Sequence, residues 1–129
     1  MTITDTKLWT SMSFRDAEAM MRYLAAIGFA DHATYRDDTD PSRVVHAEWV
    51  WPAGGGIMFG TATPDGVLQN AGQAAVYLVC DDPDDLVDRA LAAGATVDRA
   101  VADNDYGGRG GSVRDPEGNH WAFGSYQPS

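Results

Sequence analysis

The stretch RDPEGNHWAFGSY, residues 114–126, joins a turn sequence to a strand sequence. Its Pro and Gly residues favour turns, because Pro fixes one backbone angle and Gly accepts conformations that other residues avoid. Trp121 and Phe123 alternate with small side chains, as in a strand that buries one face. The stretch therefore predicts a tight turn followed by a last strand at about residues 120–126.

The same signals occur a second time, earlier in the chain. Three turn and strand residues recur at an interval of 64 positions: Pro52/Pro116, Gly54/Gly118 and Phe59/Phe123. Two residue types that cap helices recur at an interval of 66 positions: Asp16/Asp82 and Gly28/Gly94. The sequence thus contains an internal repeat, and each half predicts one βαβββ module.

The predicted boundaries follow from hydrophobic alternation and from the caps. Module one, about residues 8–62, has strands at 8–14, 30–36, 43–51 and 56–62 and a helix at 16–27. Module two, about residues 73–126, has strands at 74–80, 95–101, 109–114 and 120–126 and a helix at 83–93. The stretch TPDGVLQNAG, residues 63–72, is the predicted linker. Because one module cannot cover both faces of its own sheet, we expect the two to pack as one domain and two chains to form a homodimer.

Charge and composition exclude several classes of protein. The net charge is −10, and the nine Lys and Arg residues are scattered, which argues against direct binding of nucleic acid. The sequence has no long apolar run and no signal-peptide pattern, which predicts a cytoplasmic protein without membrane association. The single cysteine, Cys80, lies in an apolar run and is expected to be a buried thiol.

Together, these features resemble the vicinal oxygen chelate superfamily, which includes glyoxalases, extradiol dioxygenases, epimerases and drug-binding proteins of the bleomycin-resistance type. The resemblance covers about residues 8–126. It rests on the paired modules and on three motifs: HAEW (46–49), AAGA (92–95) and DPEGN (115–119). It implies an α+β fold whose curved mixed sheets surround a groove.

In metal-dependent members of that superfamily, the first and last strands of each module supply the ligands. The positions that match here hold Trp9, Met58, Ala75 and Ala122. None of these offers the imidazole nitrogen or carboxylate oxygen that such metals require, so we expect neither a metal nor a cofactor at these positions. His46 and Glu48 share a strand face and leave open a metal site elsewhere, although a third ligand is missing.

Strand alternation predicts which side chains line the groove. The strands contribute Trp9, Ser11, Met58, Tyr77, His120 and Ala122, and the glycine-rich segment 103–114 contributes Tyr106, Arg109 and Arg114. An even loop before the fourth strand would add Trp49 opposite Met58, whereas one extra residue would place His46 and Glu48 there instead.

Three functions fit this pattern. The first is a metal-free protein that sequesters a planar, aromatic or cationic small molecule such as an antibiotic. The second is an isomerase or lyase that uses His120, Tyr106 or Arg114 without metal at the usual positions. The third is an interaction subunit whose groove has lost its ligand.

Overall fold

The computed structural model describes residues 6–128, which divide into two compact units with the boundary along the chain between Gly72 and Gln73. Unit 1 contains β1 (Trp9–Phe14), α1 (Ala17–Ile27), β2 (Ala30–Arg36), β3 (Val44–Val50) and β4 (Gly56–Thr61). Unit 2 contains β5 (Ala75–Val79), α2 (Pro83–Ala92), β6 (Thr96–Asp103), β7 (Arg109–Arg114) and β8 (His120–Gly124). Every predicted element is present.

The two units have the same topology. The strand order is β1-β4-β3-β2 in unit 1 and β5-β8-β7-β6 in unit 2. In each unit the first strand runs parallel to the last, and the other neighbours are antiparallel. The predicted α+β fold with two βαβββ modules is therefore confirmed.

The residues that revealed the repeat perform the same task in both units. Asp16 and Asp82 each accept a hydrogen bond of 3.1 Å from the backbone N–H three residues further along, which caps the helix. Gly28 and Gly94 follow the two helices with φ of +115° and +104°, a left-handed conformation that glycine adopts without steric cost. Equivalent caps thus set equivalent helix lengths.

One face of each sheet is buried together with the helix of its unit. Met12, Phe14, Ile57 and Phe59 are at most 3% exposed in unit 1, and Trp121 and Phe123 are fully buried in unit 2. The opposite face of each sheet is called the open face below. It carries Trp9, Ser11, His46, Glu48 and Met58 in unit 1, and Ala75, Tyr77, Arg114, His120 and Ala122 in unit 2.

Trp49, assigned to the groove on the condition of an even loop, does not face the same side as Met58; the structure has the other arrangement that the sequence left open. The register pairs Glu48 with Met58, so Trp49 lies on the buried face, 6% exposed, with its ring centroid 5.9 Å from that of Phe59. The cause is the loop between Val50 and Gly56, which contains an odd number of residues and therefore reverses the expected alternation. His46 and Glu48, and not Trp49, therefore lie on the open face with Met58.

The segment 63–72 is tied to unit 1. Asn70 Nδ2 donates a hydrogen bond of 3.3 Å to the carbonyl oxygen of Ser11, and Arg15 Nη2 donates one of 3.2 Å to that of Ala71. The segment thus packs beside β1. Neither α1 nor α2, the helices of the described residues, has the length and apolar character needed to cross a bilayer.

Candidate functional site

Trp9 lies on the open face of unit 1 with its indole ring above Gly56. The two residues are register partners in the parallel β1–β4 ladder, and a Cβ atom on residue 56 would lie 2.4 Å from Cζ3 of the indole. No side chain larger than hydrogen fits beneath the ring. The sheet therefore supports one side of a half-buried indole.

A cleft of about 250 Å³ opens on the same unit. Strand residues and the segment 63–72 both line it, including Ser11, Ser13, His46, Met58 and Leu68. Ser13 Oγ donates a hydrogen bond of 3.5 Å to the Leu68 carbonyl oxygen, which connects the segment to the strand. The cleft is smaller than the ~300–1,000 Å³ typical of pockets for drug-sized ligands, so it can hold one part of such a ligand.

His46 and Glu48 form a pair on this face. His46 Nε2 donates a hydrogen bond of 2.9 Å to Glu48 Oε2, and the His46 ring stacks on Tyr35 with centroids 6.4 Å apart. Within residues 6–128, no three His, Cys, Asp or Glu side chains come together as metal ligands. The four positions that match the superfamily's ligands hold indole, thioether and methyl groups, so a hard or borderline divalent metal does not fit them.

On the open face of unit 2, His120 pairs in register with Ala75 on one side and with Arg114 on the other. His120 Nδ1 lies 3.0 Å from Asp98 Oδ2, and Arg114 Nε lies 3.6 Å from the same oxygen. Ala75 and Ala122 have small side chains, so little projects from the sheet beside His120. His120, Arg114 and Ala122 were predicted on this face from the sequence, whereas Asp98 was not.

Three tyrosines gather at the other end of this face. Tyr77 Oη donates a hydrogen bond of 2.8 Å to the Tyr126 carbonyl oxygen, and Tyr106 meets Tyr126 edge to face with centroids 5.2 Å apart. A Cβ atom on Gly124 would lie 2.3 Å from Tyr77 Oη, so this glycine admits the ring. Burial raises the pKa of Tyr77, and the neighbouring Tyr106 adds to the rise.

The placement of Arg109 in the groove is wrong. Its guanidinium forms a two-pronged ion pair with Asp84 at the start of α2, with N–O distances of 2.7 and 3.1 Å, and a third contact of 3.2 Å with Asp103. These hydrogen bonds from Arg109 lower the pKa of Asp84. Arg109 and Arg114 are five positions apart on β7, and an odd spacing puts two residues on opposite faces of a strand. Arg109 therefore fixes α2 to the sheet.

Comparison with known proteins supports the fold described above. The family model described as a glyoxalase-like domain matches residues 10–123. Among solved structures, TioX from Micromonospora sp. ML1 is 23% identical with a TM-score of 0.69, covering 96% of this chain and 98% of its own. A glyoxalase/bleomycin resistance protein from Catenulispora acidiphila is 18% identical with a TM-score of 0.66, covering 95% of this chain and 100% of its own.

A sequence relative has been found in Mycobacterium tuberculosis, an uncharacterized protein that is 47% identical over 49 residues. The match covers 38% of this chain and 29% of that protein, so it spans less than a third of the relative's length. The solved structures are too distant in sequence to show more than the fold. The match of the family model to most of the chain shows that this protein belongs to the glyoxalase-like domain family of the vicinal oxygen chelate superfamily.

Proposed function

We propose that this protein binds a planar aromatic small molecule, such as an antibiotic, and sequesters it without a metal ion. The observation that carries the proposal is the support of the Trp9 indole by Gly56. In this arrangement one side of the ring rests on the sheet, and a ligand can stack on the other side.

The energetics suit binding by stacking and burial. An aromatic pair contributes about 0.5–1.5 kcal/mol beyond the burial of its surface. Because Gly56 leaves space only for the indole, the ring loses little conformational freedom when the ligand arrives. Ser11 and Met58 in the adjacent cleft add one polar and one adaptable apolar contact.

The charge of the protein favours a cationic ligand. The net charge of −10 attracts a positively charged molecule over a distance and raises its association rate at low salt. Affinity then depends on stacking and burial at the site, so a neutral aromatic ligand can also bind.

The proposal includes a homodimer as the active form. Large apolar side chains are exposed on both units, including Val67 at 100%, Leu8 at 82% and Val97 at 52%. A second chain would cover part of this surface. Sedimentation should then give twice the chain mass of 13.8 kDa, and a monomer at all concentrations would contradict the dimer.

One observation favours a second candidate function, an isomerase or lyase. His120 is held by Asp98 on an accessible face, and a carboxylate behind an imidazole is a common arrangement for a general base. Arg114, whose Nε lies 3.6 Å from the same Asp98 oxygen, could polarise a substrate there, whereas Tyr106 packs against Tyr126 at the other end of the face.

The test of the binding proposal compares two cations that differ in shape. Acridine orange is planar and aromatic, whereas spermidine is cationic without a ring. We expect calorimetry to show saturable binding of acridine orange that persists at 0.5 M salt, where electrostatic attraction is screened to a few ångströms (roughly 4 Å). Equal affinity for spermidine, or loss of all binding at high salt, would contradict stacking as the basis of recognition.

A further inference from the structure

We propose that Asp98, His120 and Arg114 form a binding site for an acidic hydroxyl group, a phenol or an enol, carried by the ligand. The inference rests on the proposed function, because an aromatic ring that bears an acidic hydroxyl belongs to the class of ligand proposed above; it concerns the side chains of unit 2 alone. The site lies on the open face of unit 2, where β6, β7 and β8 bring the three side chains together.

The position of the hydrogen on the imidazole follows from its partner. The carboxylate of Asp98 can only accept hydrogen bonds, so the 3.0 Å contact places a hydrogen on Nδ1 of His120. In the neutral imidazole, the other nitrogen, Nε2, then carries a lone pair. The His120 side chain is 30% exposed, so part of the imidazole is accessible to a ligand.

Arg114 decides which kind of donor the site prefers. Its Nε lies 3.6 Å from the Asp98 oxygen that contacts His120, and its Nη1 donates a hydrogen bond of 3.3 Å to the Gly118 carbonyl oxygen. These contacts hold the guanidinium beside the imidazole. A hydroxyl oxygen that gains negative charge as it donates to Nε2 is stabilised by this cation, whereas an ammonium donor is repelled.

The neighbouring positions leave space for the ring that bears the hydroxyl. Ala75 is the register partner of His120 and is exposed, and Ala122 follows two residues later on the same face. Both side chains end at a methyl group. A flat ring can therefore approach Nε2 along the sheet.

The histidine of unit 1 lacks these properties. His46 uses its Nε2 to bind Glu48, and Tyr35 stacks on its ring. Arg43, in the loop just before β3, pairs with Asp37 at 3.1 Å. The proposal is therefore specific to His120.

The experiment uses two probes that share a ring and differ in one group. 4-Nitrophenol has an acidic hydroxyl, and 4-nitroanisole carries a methyl ether in its place. We expect the full-length protein to bind the phenol about tenfold more tightly than the ether, the size expected for one charge-assisted hydrogen bond. Bound phenol should also show a stronger phenolate absorption band than free phenol at the same pH.

Variants assign the preference to the three residues. His120→Gln should make the affinities for the two probes equal, and Asp98→Asn should reduce the preference, because the imidazole loses its fixed tautomer. His32→Gln changes an exposed histidine of β2 and should retain the full preference. If a variant unfolds, NMR of the unmodified protein provides the test instead. The phenol should shift the imidazole ¹⁵N signal of His120 Nε2 and leave the signals of His32 unchanged.

The outcomes separate this inference from the proposed function. Equal binding of the two probes by the unmodified protein would overturn the inference and leave aromatic binding intact. A preference that survives in His120→Gln would also overturn it. Failure of both probes to bind at millimolar concentration would count against the inference and against aromatic binding alike.

Discussion

The buried carboxylate of Asp115 accepts the indole N–H of Trp121 at a distance of 2.8 Å. The same carboxylate accepts hydrogen bonds from the backbone N–H groups of Glu117 and Asn119 and from the Asn119 side chain, at 2.8 to 3.1 Å. Asp115 is 5% exposed, and Trp121 is fully buried. One side chain thus closes the turn before β8 and fixes the orientation of the largest core residue.

Replacing this carboxylate should destabilise the fold. Asp115→Ala leaves several buried donors without a partner, and each costs about 1–3 kcal/mol, so we expect the free energy of unfolding to fall by roughly 3 kcal/mol. Urea denaturation followed by fluorescence measures the change. Asp105→Ala, at an exposed loop position, should change stability by less than ~0.5 kcal/mol. A loss below ~1 kcal/mol in Asp115→Ala would show that the turn does not depend on the carboxylate.

Trp9 should be an anchor of the ligand site. Trp9→Ala removes the half-buried ring and should weaken the binding of acridine orange by about 1–3 kcal/mol, whereas Trp9→Phe should retain part of the affinity. Gly56→Val should also weaken binding, because its side chain would occupy the space of the indole. Thr10→Ala, at the following exposed position, is the matched control. Unchanged affinity in a folded Trp9→Ala protein would remove Trp9 from the site.

The repeated elements could be predicted because their signals are local. Asp16 and Gly28 cap the two ends of α1, whereas Asp82 caps the start of α2 and Gly94 follows its C-cap, Ala93. The face of Trp49 could not be predicted, since it depends on whether the β3–β4 loop has an odd or even number of residues.

The side-chain contacts of unit 2 could be predicted only in part. Asp98 was missed because the β6–β7 ladder shifts register on both sides of Arg99, so alternation along β6 does not reveal which side chains meet those of β7 and β8. The position of Arg109, in contrast, was accessible: its odd spacing from Arg114 places the two on opposite faces. Arg109 had instead been assigned to the groove because the segment around it is rich in glycine.

The residues at the superfamily's ligand positions predict a low metal content. Because Trp9, Met58, Ala75 and Ala122 supply no nitrogen or carboxylate ligand, purified protein should contain less than about one-tenth of a metal ion per chain. Added zinc or nickel should leave the melting temperature unchanged. Elemental analysis that finds one zinc, nickel or iron per chain would contradict the metal-free proposal, and loss of that metal in His46→Ala would locate it.

Cys80 should react slowly with alkylating reagents and make the protein sensitive to alkali. Cys80 is half-buried, not fully buried as the sequence predicted, and this partial burial raises the pKa of its thiol, with a further rise from Asp81 and Asp82, so the reactive thiolate is scarce in the folded state. We expect iodoacetamide to react more slowly with the folded protein than with the protein in urea at the same pH. Equal alkylation rates in both states would contradict this account.

The raised pKa of Cys80 also makes stability depend on pH. A group with a raised pKa stabilises the fold at pH values below its ordinary pKa of 9.0, and this contribution is lost as the pH rises through the pKa of the folded state. The Cys80→Ala protein should therefore lose less stability than the unmodified protein as the pH rises through the pKa of the folded state.

Sequestration and catalysis leave different amounts of unchanged ligand. A binding protein gains nothing from stabilising a transition state, so a ligand in hundredfold excess, about 100 molecules per chain, should be recovered intact after overnight incubation, with only an equimolar amount retained. Even a slow enzyme with a turnover of about one per second would convert such an excess within minutes. Mass spectrometry of the recovered ligand distinguishes the two cases. If most of the excess is converted and His120→Ala abolishes conversion while binding persists, the sequestration proposal fails, and His120, oriented by Asp98, is the acid or base of an isomerase or lyase.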